Sequence, residues 1–427
     1  MSATAPARDH CLAPSRPIDA PLSPGTLYGR LFPDLPPLAV DDTTLLALGL
    51  RDGVCDGGTD CDDATGPCGW PLFGQFVAHD ITADRSPLAA RMDPSGLRNL
   101  HAPRANLEPL YGDGPAGEPF LYMRDDPAKL LLGPNHDHPR NAEGIALIGD
   151  PRNDVHLIVA RLHTAFARAH NGIVDRLRED GVPETVVFDK ARRLTTWHYQ
   201  WIVLEDYLPR VAGDAGRERR FYRPDGPPTI PLEFADAAFR YGHSQVRNDF
   251  RLVEDGERLT LFPNLLGFRP NEAELEWSAL FDMPDRRCWQ PAKRIDGTLA
   301  RSLIELPLAV AGAVELDAHR SLAVRDLQRG QALGLPAGEV VADAIGVEPV
   351  DSGLGWDGTP LWYYVLIESD GERLGPVGAT IVGEVLRGII ELDPDSYLAV
   401  DPSWEPTLST ASRQFELGDL LRFSDTP

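Results

Sequence analysis

The sequence predicts a mainly α-helical protein with long irregular connections and little β structure. Two segments repeat apolar residues every three or four positions over about five turns each. Strand-like runs are confined to two short stretches. Between these elements, 39 prolines and 39 glycines interrupt regular structure. At 427 residues the chain exceeds one small domain. We expect residues 1–24, rich in Pro and Ala, to form a flexible arm, and 25–427 to form a single large domain.

Taken in chain order, residues 51–69 hold Gly, Asp and three of the five cysteines and read as a loop. Trp70 to Ile81 suits a buried helix entered through Pro71. Residues 85–148 carry few periodic runs. The first long helical pattern is Ile158, Leu162, Phe166, Ala169, Ile173 and Leu177, preceded by a cap signal, Asp150-Pro151. The second is Leu194, Trp197, Trp201, Leu204, Leu208 and Val211. A further helical pattern spans 232–247, and weaker ones lie at 300–314, 318–332, 337–345 and 376–391. Arg258–Phe262 and Trp362–Ile367 are the strand candidates. Irregular connections this long are unusual in a compact domain unless they line a site or wrap a core.

Composition narrows the function. Hydrophobic residues at 42% and charged residues at 25% are ordinary for a folded protein. The 41 basic and 65 acidic residues sum to −24, which disfavours binding to phosphate backbones or anionic membranes. No stretch of about 18 apolar residues is long enough to span a bilayer. The N-terminus lacks the basic start and apolar run of a secretory signal. With an odd number of cysteines (Cys11, Cys55, Cys61, Cys68 and Cys288), this predicts a cytoplasmic protein with free thiols. Oligomeric state is not legible.

Four segments could carry chemistry. Gln75 and His79 lie four apart and share a helix face among Phe73, Phe76 and Val77, where polar groups are costly unless paired. Arg152 sits at a helix entrance that is already positive, a placement poor for stability and good for an anion or polarised oxygen. His243 follows Gly242, whose missing side chain lets a flat ligand approach. Asp326 lies between Arg325 and Arg329 on a helical pattern. Taken singly, a satisfied core histidine or a salt-bridged surface is the commoner case for each.

Together these segments resemble the animal haem peroxidase family (the peroxidase–cyclooxygenase superfamily), in its short bacterial form. Gly74 to Asp80 matches Gly-Gln-Phe-x-x-His-Asp, and Gly149 to Arg152 matches Gly-Asp-x-Arg. Leu162-His163, Phe166, Arg168 and His170-Asn171 match the family's long-helix run. Phe239 to His243 reads Phe-Arg-Tyr-Gly-His, and Leu327 to Pro336 matches Leu-x-Arg-Gly-x-x-x-Gly-Leu-Pro. Trp362 to Leu366 and Leu374-Gly375-Pro376 extend the likeness, which spans roughly residues 70–400.

The resemblance implies a haem-dependent peroxidase. It would use hydrogen peroxide, via a ferryl intermediate, to oxidise a small organic donor (phenol-, arylamine- or specialised-metabolite-like) or a soft halide. His243 would be the proximal ligand of the haem iron. His79 would be the distal acid/base, Arg152 the stabiliser of developing negative charge, and Gln75 a guide for distal water or a small anion. Arg240 and Arg329 fall where relatives pair with haem propionates. Asp326 stands where the family usually has Asn and would pull harder on the His243 N–H, lowering the iron potential. Relatives that esterify their haem use carboxylates at the positions of Ala78 and Val155, so a non-covalent haem b is expected. The sulfonium-forming Met of one relative corresponds to His156. Cyclooxygenases carry a radical-forming Tyr at the position of Arg240; Tyr241 would point about 100° away on a helix. Calcium is a candidate second cofactor, held by Asp80, Asn106 and Glu108, with Ala102 at a departed position.

Other motifs are discounted. Gly112 to Gly117 matches G-x-G-x-x-G without the strand and helix of a dinucleotide site. His136 and His138 read as exposed loop residues, and Cys55, Cys61 and Cys68 lack zinc spacing. The alternatives to a peroxidase are a haem-dependent fatty-acid or small-substrate dioxygenase, a non-enzymatic haem sensor, and a metal-dependent hydrolase using His136 and His138.

Overall fold

The structure is a computed structural model that describes residues 26–59, 62–83, 97–270, 272–314, 316–408 and 414–426. The expected arm (1–24), Cys11 and Cys61 lie outside these residues. Helices dominate. The principal ones are α1 (Asp42–Gly49), α2 (Trp70–Ile81), α3 (Leu157–Glu179), α4 (Glu184–Trp201), α5 (Leu322–Ala332), α6 (Gly338–Ile345), α7 (Leu361–Ile367), α8 (Pro376–Glu391) and α9 (Leu417–Asp425). Among the described residues strands occur as three antiparallel pairs of two to five residues: Thr26–Leu27 with Arg98–Asn99, Asp63–Pro67 with Pro291–Lys293, and Asp249–Arg251 with Arg258–Thr260.

α3 organises the core. Its apolar stripe, Ile158, Leu162, Phe166, Ala169 and Ile173, is fully buried, and the helix packs on α2, α4 and α9. Phe166 stacks on Phe76 of α2 with ring centroids 5.1 Å apart, an aromatic contact worth about 0.5–1.5 kcal/mol beyond its burial. α2 is thereby clamped against the longest helix, which holds the Gln75/His79 face in place. Gly74 permits the clamp on the other side. A Cβ there would lie 2.3 Å from the Tyr207 hydroxyl.

Several elements depart from the expectations, each for a physical reason. Trp362–Ile367 is helical, within α7. Leu361 to Leu366 are buried without a break, and a short apolar run buried on all sides carries no period to separate strand from helix. The pattern over 194–211 is not one helix. α4 ends at Trp201, a π-helical turn spans Ile202–Tyr207, and an α-turn completes the segment at Leu208–Ala212. The extra residue of a π-turn preserves the apolar pattern yet rotates the residues C-terminal to it. Residues 232–247 form three short pieces, Leu232–Ala235, Ala238–Tyr241 and Gly242–Gln245. Asp150 caps the 3-10 turn Pro151–Asp154, accepting from Arg152 N, while α3 is capped by His156, whose ring accepts from Val159 N. The loop read over 51–69 holds the strand Asp63–Pro67.

Candidate active site

α2, the Pro151–Asp154 turn and the segment Ala238–Gln245 converge on one cavity of about 1060 Å³, counting its open mouth. Gln75, His79, Arg152, Arg240 and His243 all line it. Helical spacing thus brings Gln75 and His79 together as expected. The other residues arrive from segments far away in sequence. Much of the remaining wall is apolar, including Leu261, Phe262, Leu303, Leu306 and Val310, as is usual where a few polar groups orient a ligand.

His79 is buried, and its Nδ1 lies 2.9 Å from Asn153 Oδ1. The same amide's nitrogen reaches His163 Nδ1 at 3.2 Å. In this orientation the amide oxygen accepts from His79 Nδ1–H, which leaves Nε2 as the proton-accepting nitrogen. Burial, reinforced by the Arg152 charge, pushes the His79 imidazole down to about 3. It is therefore neutral over the physiological range, the state a general base needs.

Arg152 is anchored from behind. Its Nε lies 3.1 and 3.0 Å from the two Asp150 oxygens and its Nη2 2.7 Å from Oδ2. Nη2 also donates to the carbonyls of His79 and Thr82. Asp150 in turn accepts from His101 Nε2 at 2.9 Å, and His101 Nδ1 meets Glu108 Oε1 at 3.2 Å. Burial would raise Asp150, but the Arg152 and His101 charges hold it well below the usual carboxylate range. Burial would likewise lower His101, but hydrogen bonds to Asp150 and Glu108 win and raise it from 6.5 to about 9. A raised folded-state value stabilises the fold fully below about pH 6.5, and the contribution fades as pH climbs through about 9. At its fullest it is on the order of 3 kcal/mol. The denaturant-midpoint gap between the protein and His101→Gln is expected to narrow steadily from pH 6 to pH 10.

On the other side of the cavity, His243 Nδ1 is 2.6 Å from Asp326 Oδ2. A carboxylate only accepts, so Nδ1 carries the proton and Nε2 is left as the ring's donor atom. Asp326 is wholly buried and its Oδ1 also accepts from Arg240 Nη1 at 3.3 Å. Arg240 pairs further with Asp236 at 3.3 Å, and Arg329 meets the same Asp236 oxygen at 3.1 Å. Arg329 is buried and is not among the cavity-lining residues. Tyr241 does not point away. It lines the cavity, and its hydroxyl is 2.8 Å from that of Tyr207, which the π-turn delivers to the same wall.

Asp80, Asn106 and Glu108 do meet, away from the cavity lining. The Glu108 N–H lies 2.9 Å from Asp80 Oδ1 and 3.2 Å from Asn106 Oδ1. The Glu108 carboxylate is spent on His101 and on Ala102 N. Burial pushes Asp80 up to about 7. Calcium asks for six to eight oxygens. Among the described residues no group of three or more His, Cys, Asp or Glu is arranged to hold a metal ion. The positive charge facing Glu108 is His101, while Asp80 Oδ2 is buried with no hydrogen-bond partner among the described residues. Chelator treatment tests that position: a lowered melting temperature would place a cation there, and an unchanged one would leave His101 as the counter-charge.

His138, expected to be exposed, is buried with Nε2 3.1 Å from Asn153 O, while His136 faces Arg168. The two are turned to different partners. Cys55 and Cys68 are buried, and burial pushes the Cys68 thiol up to about 12. Asn153, Asp150, His101, Asp236 and Tyr207 also surround the site, and sequence reasoning misses them as site residues. Asp150 and Asn153 do flank Arg152 in sequence, but nothing in their spacing says which way their side chains turn.

One cavity of this helical protein thus brings together a buried histidine that can accept a proton and a carboxylate-braced histidine of the kind that can ligate a cofactor metal. The animal haem peroxidase model matches residues 97–352, and the chain belongs to that family. The match includes Arg152, His243, Asp326 and Arg329; Gln75 and His79 lie N-terminal to it. Peroxidasin homolog pxn-2 of Caenorhabditis elegans is 31% identical over 298 residues, covering 62% of this chain and 21% of that protein. The chain thus spans about a fifth of that relative's length. Among solved structures, peroxidase A from Dictyostelium discoideum superposes with a TM-score of 0.70 at 16% identity, covering 95% of this chain and 94% of that one. The Oryza sativa fatty acid alpha-dioxygenase gives 0.63 at 14% identity, over 87% and 76%. Both likenesses concern the fold.

The residues fit the haem that this family implies. A Cβ on Gly242 would meet no protein atom nearer than Pro71 O at 3.8 Å, so space for a flat ring is kept above the segment that carries His243. His243 has its Nδ1 occupied and its Nε2 left to coordinate. Among the described residues no helix is long and apolar enough to cross a membrane.

Proposed function

We propose that this chain is a haem-dependent peroxidase that reduces hydrogen peroxide and oxidises a small organic donor or a soft halide. The observation that carries the reading is the cavity lined by both His79 and His243, with Arg152 and Gln75 beside His79. The bound haem would supply the two-electron redox chemistry. His243 would hold it through Nε2, braced by Asp326. His79 Nε2 would take the peroxide proton and return it to the departing oxygen. Arg152, fixed by Asp150, would place positive charge where that oxygen gains electrons. Arg240 would meet haem propionates while keeping Asp326, and Arg329 would support it through Asp236.

The test is the absorption spectrum of the haem-loaded protein before and after one equivalent of hydrogen peroxide, and then turnover with a phenolic donor. A Soret band that responds in the protein and not in His79→Ala supports the reading. A band unmoved by peroxide in both supports a sensor instead. The haem is proposed to be non-covalent b, because Ala78 and Val155 line the cavity where ester-forming carboxylates would stand. Acid–butanone extraction is expected to remove essentially all of it. Retention of haem in the protein phase would contradict this.

A fatty-acid oxygenase is the second reading. It is favoured by the Tyr207–Tyr241 pair on the cavity wall and opposed by Arg240 three residues before His243. Peroxide-initiated oxygen uptake with an unsaturated fatty acid separates the two.

A further inference from the structure

His156 is a buried histidine on the cavity wall that has no part in the proton transfer assigned to His79 or the charge stabilisation assigned to Arg152. Both of its ring nitrogens have an identified partner. Nδ1 accepts the Val159 backbone N–H at 3.2 Å, capping α3. A backbone N–H only donates, so Nδ1 holds a lone pair. A neutral imidazole then carries its proton on Nε2. That nitrogen lies 2.9 Å from Gln75 Oε1. Flipping the Gln75 amide would set two donors against each other. The helix cap therefore decides the tautomer of His156, and the tautomer decides which end of Gln75 is turned from His156.

We propose that His156 is a positioning residue that fixes the polarity of the distal wall. It holds the Gln75 carbonyl, so that the amide nitrogen of Gln75, not its oxygen, lies on the side away from His156, where an N–H can face a bound ligand. Gln75 and Arg152 then both act as donors on that wall. The site favours small ligands that present lone pairs or negative charge, such as peroxide oxygen, halide and fluoride, and disfavours ligands that must donate there. The arrangement is locked across the neutral range. Protonating His156 would place N–H against N–H at Val159 and lose the cap, and burial already presses the ring down to about 3. The selectivity consequence rests on the peroxidase reading of the cavity; the tautomer does not.

The experiment has two arms. Histidine-selective nitrogen-15 spectra of the purified protein read the tautomer directly, with the His156 signal assigned by its loss in His156→Ser. The expected signal is Nε2–H with an unprotonated Nδ1, unchanged from pH 5 to pH 8. An Nδ1–H form, or titration within that range, overturns the proposal. Serine is chosen because it can still accept from Val159 N as an N-cap while removing the donor to Gln75. His156→Asp is the second variant that keeps the cap acceptor, should His156→Ser fail to fold. In the second arm, fluoride is titrated into the ferric haem protein and monitored at the Soret band. Losing one oriented donor, about 1–1.5 kcal/mol, predicts roughly a tenfold weaker fluoride Kd in His156→Ser. Gln75→Glu, which puts carboxylate oxygen where the donors were, should weaken it at least as much. Peroxide KM should rise more than kcat falls in His156→Ser. Fluoride affinity equal to that of the unsubstituted protein in His156→Ser overturns the positioning role. If the unsubstituted protein binds haem without any fluoride response, the peroxidase reading of the cavity fails, and the tautomer arm still decides whether His156 orients Gln75.

Discussion

His79→Ala is expected to lower kcat/KM for hydrogen peroxide by about 10²- to 10⁴-fold, the range over which a positioned acid/base acts, while the Soret band persists. The separation comes from where the ring is held. His79 sits on α2, which is clamped by the Phe76–Phe166 stack, and its Nδ1–H is engaged by Asn153. Removing the imidazole leaves the helix and the haem-facing segment around His243 untouched. The structural cost is the loss of one buried hydrogen-bond partner, about 1–3 kcal/mol, which a protein of this size tolerates. The same geometry sets the pH dependence. A base pushed down to about 3 is already deprotonated at pH 5, so kcat/KM should be flat from about pH 5 to pH 8 and fall only on stronger acidification. A profile rising through pH 6–7 would mean that His79 is not the base, or that haem binding restores an ordinary imidazole value. Stopped-flow measurement of the peroxide-dependent Soret change across pH distinguishes these outcomes in the protein and in His79→Ala.

The sequence is legible wherever one element carries the information. Gln75 and His79 can be paired because four residues on one helix define a face. The α3 stripe can be read because polar residues such as Arg161, His163, Arg168 and His170 separate its apolar positions, although the helix is buried almost all round as far as Val174. Legibility ends where a run is apolar on every face or where segments far apart in sequence meet. α7 carries no period because it is apolar all round, and the π-turn at Ile202–Tyr207 leaves the apolar pattern intact while redirecting Tyr207 into the cavity. Helical rotation alone misplaces Tyr241, because the cavity wraps this segment and Phe239 to His243 line it consecutively. The deeper gap concerns polarity. That Asn153 supports His79, that His101 bridges Glu108 and Asp150, and that His156 orients Gln75 depend on contacts between residues up to 81 positions apart. Spacing along one element does not encode those contacts.

Asp326 is the residue whose replacement should separate stability from redox tuning. Its carboxylate is wholly buried and accepts both from His243 Nδ1 and from Arg240. Asp326→Ala would strip both of their partner. Arg240 would then lose a carboxylate partner and keep Asp236, which it shares with Arg329. Breaking such a pair costs about 3–5 kcal/mol, so Asp326→Ala should unfold at clearly lower denaturant and retain haem poorly. Asp326→Asn is the informative variant. Its amide oxygen can still accept from His243 Nδ1, but without the negative charge that gives the ring anionic character. The ferric/ferrous midpoint should therefore become more positive. The shift is tempered in this chain because Arg240 already neutralises part of the Asp326 charge, a feature that the motif Phe-Arg-Tyr-Gly-His does not disclose. It follows that Arg240→Leu should move the midpoint the other way. It releases the full carboxylate charge to His243 and removes a cation that favours the reduced iron. Spectroelectrochemical titration of the two variants should bracket the unsubstituted protein. Shifts of the same sign would show that Asp326 does not set the donor strength of His243.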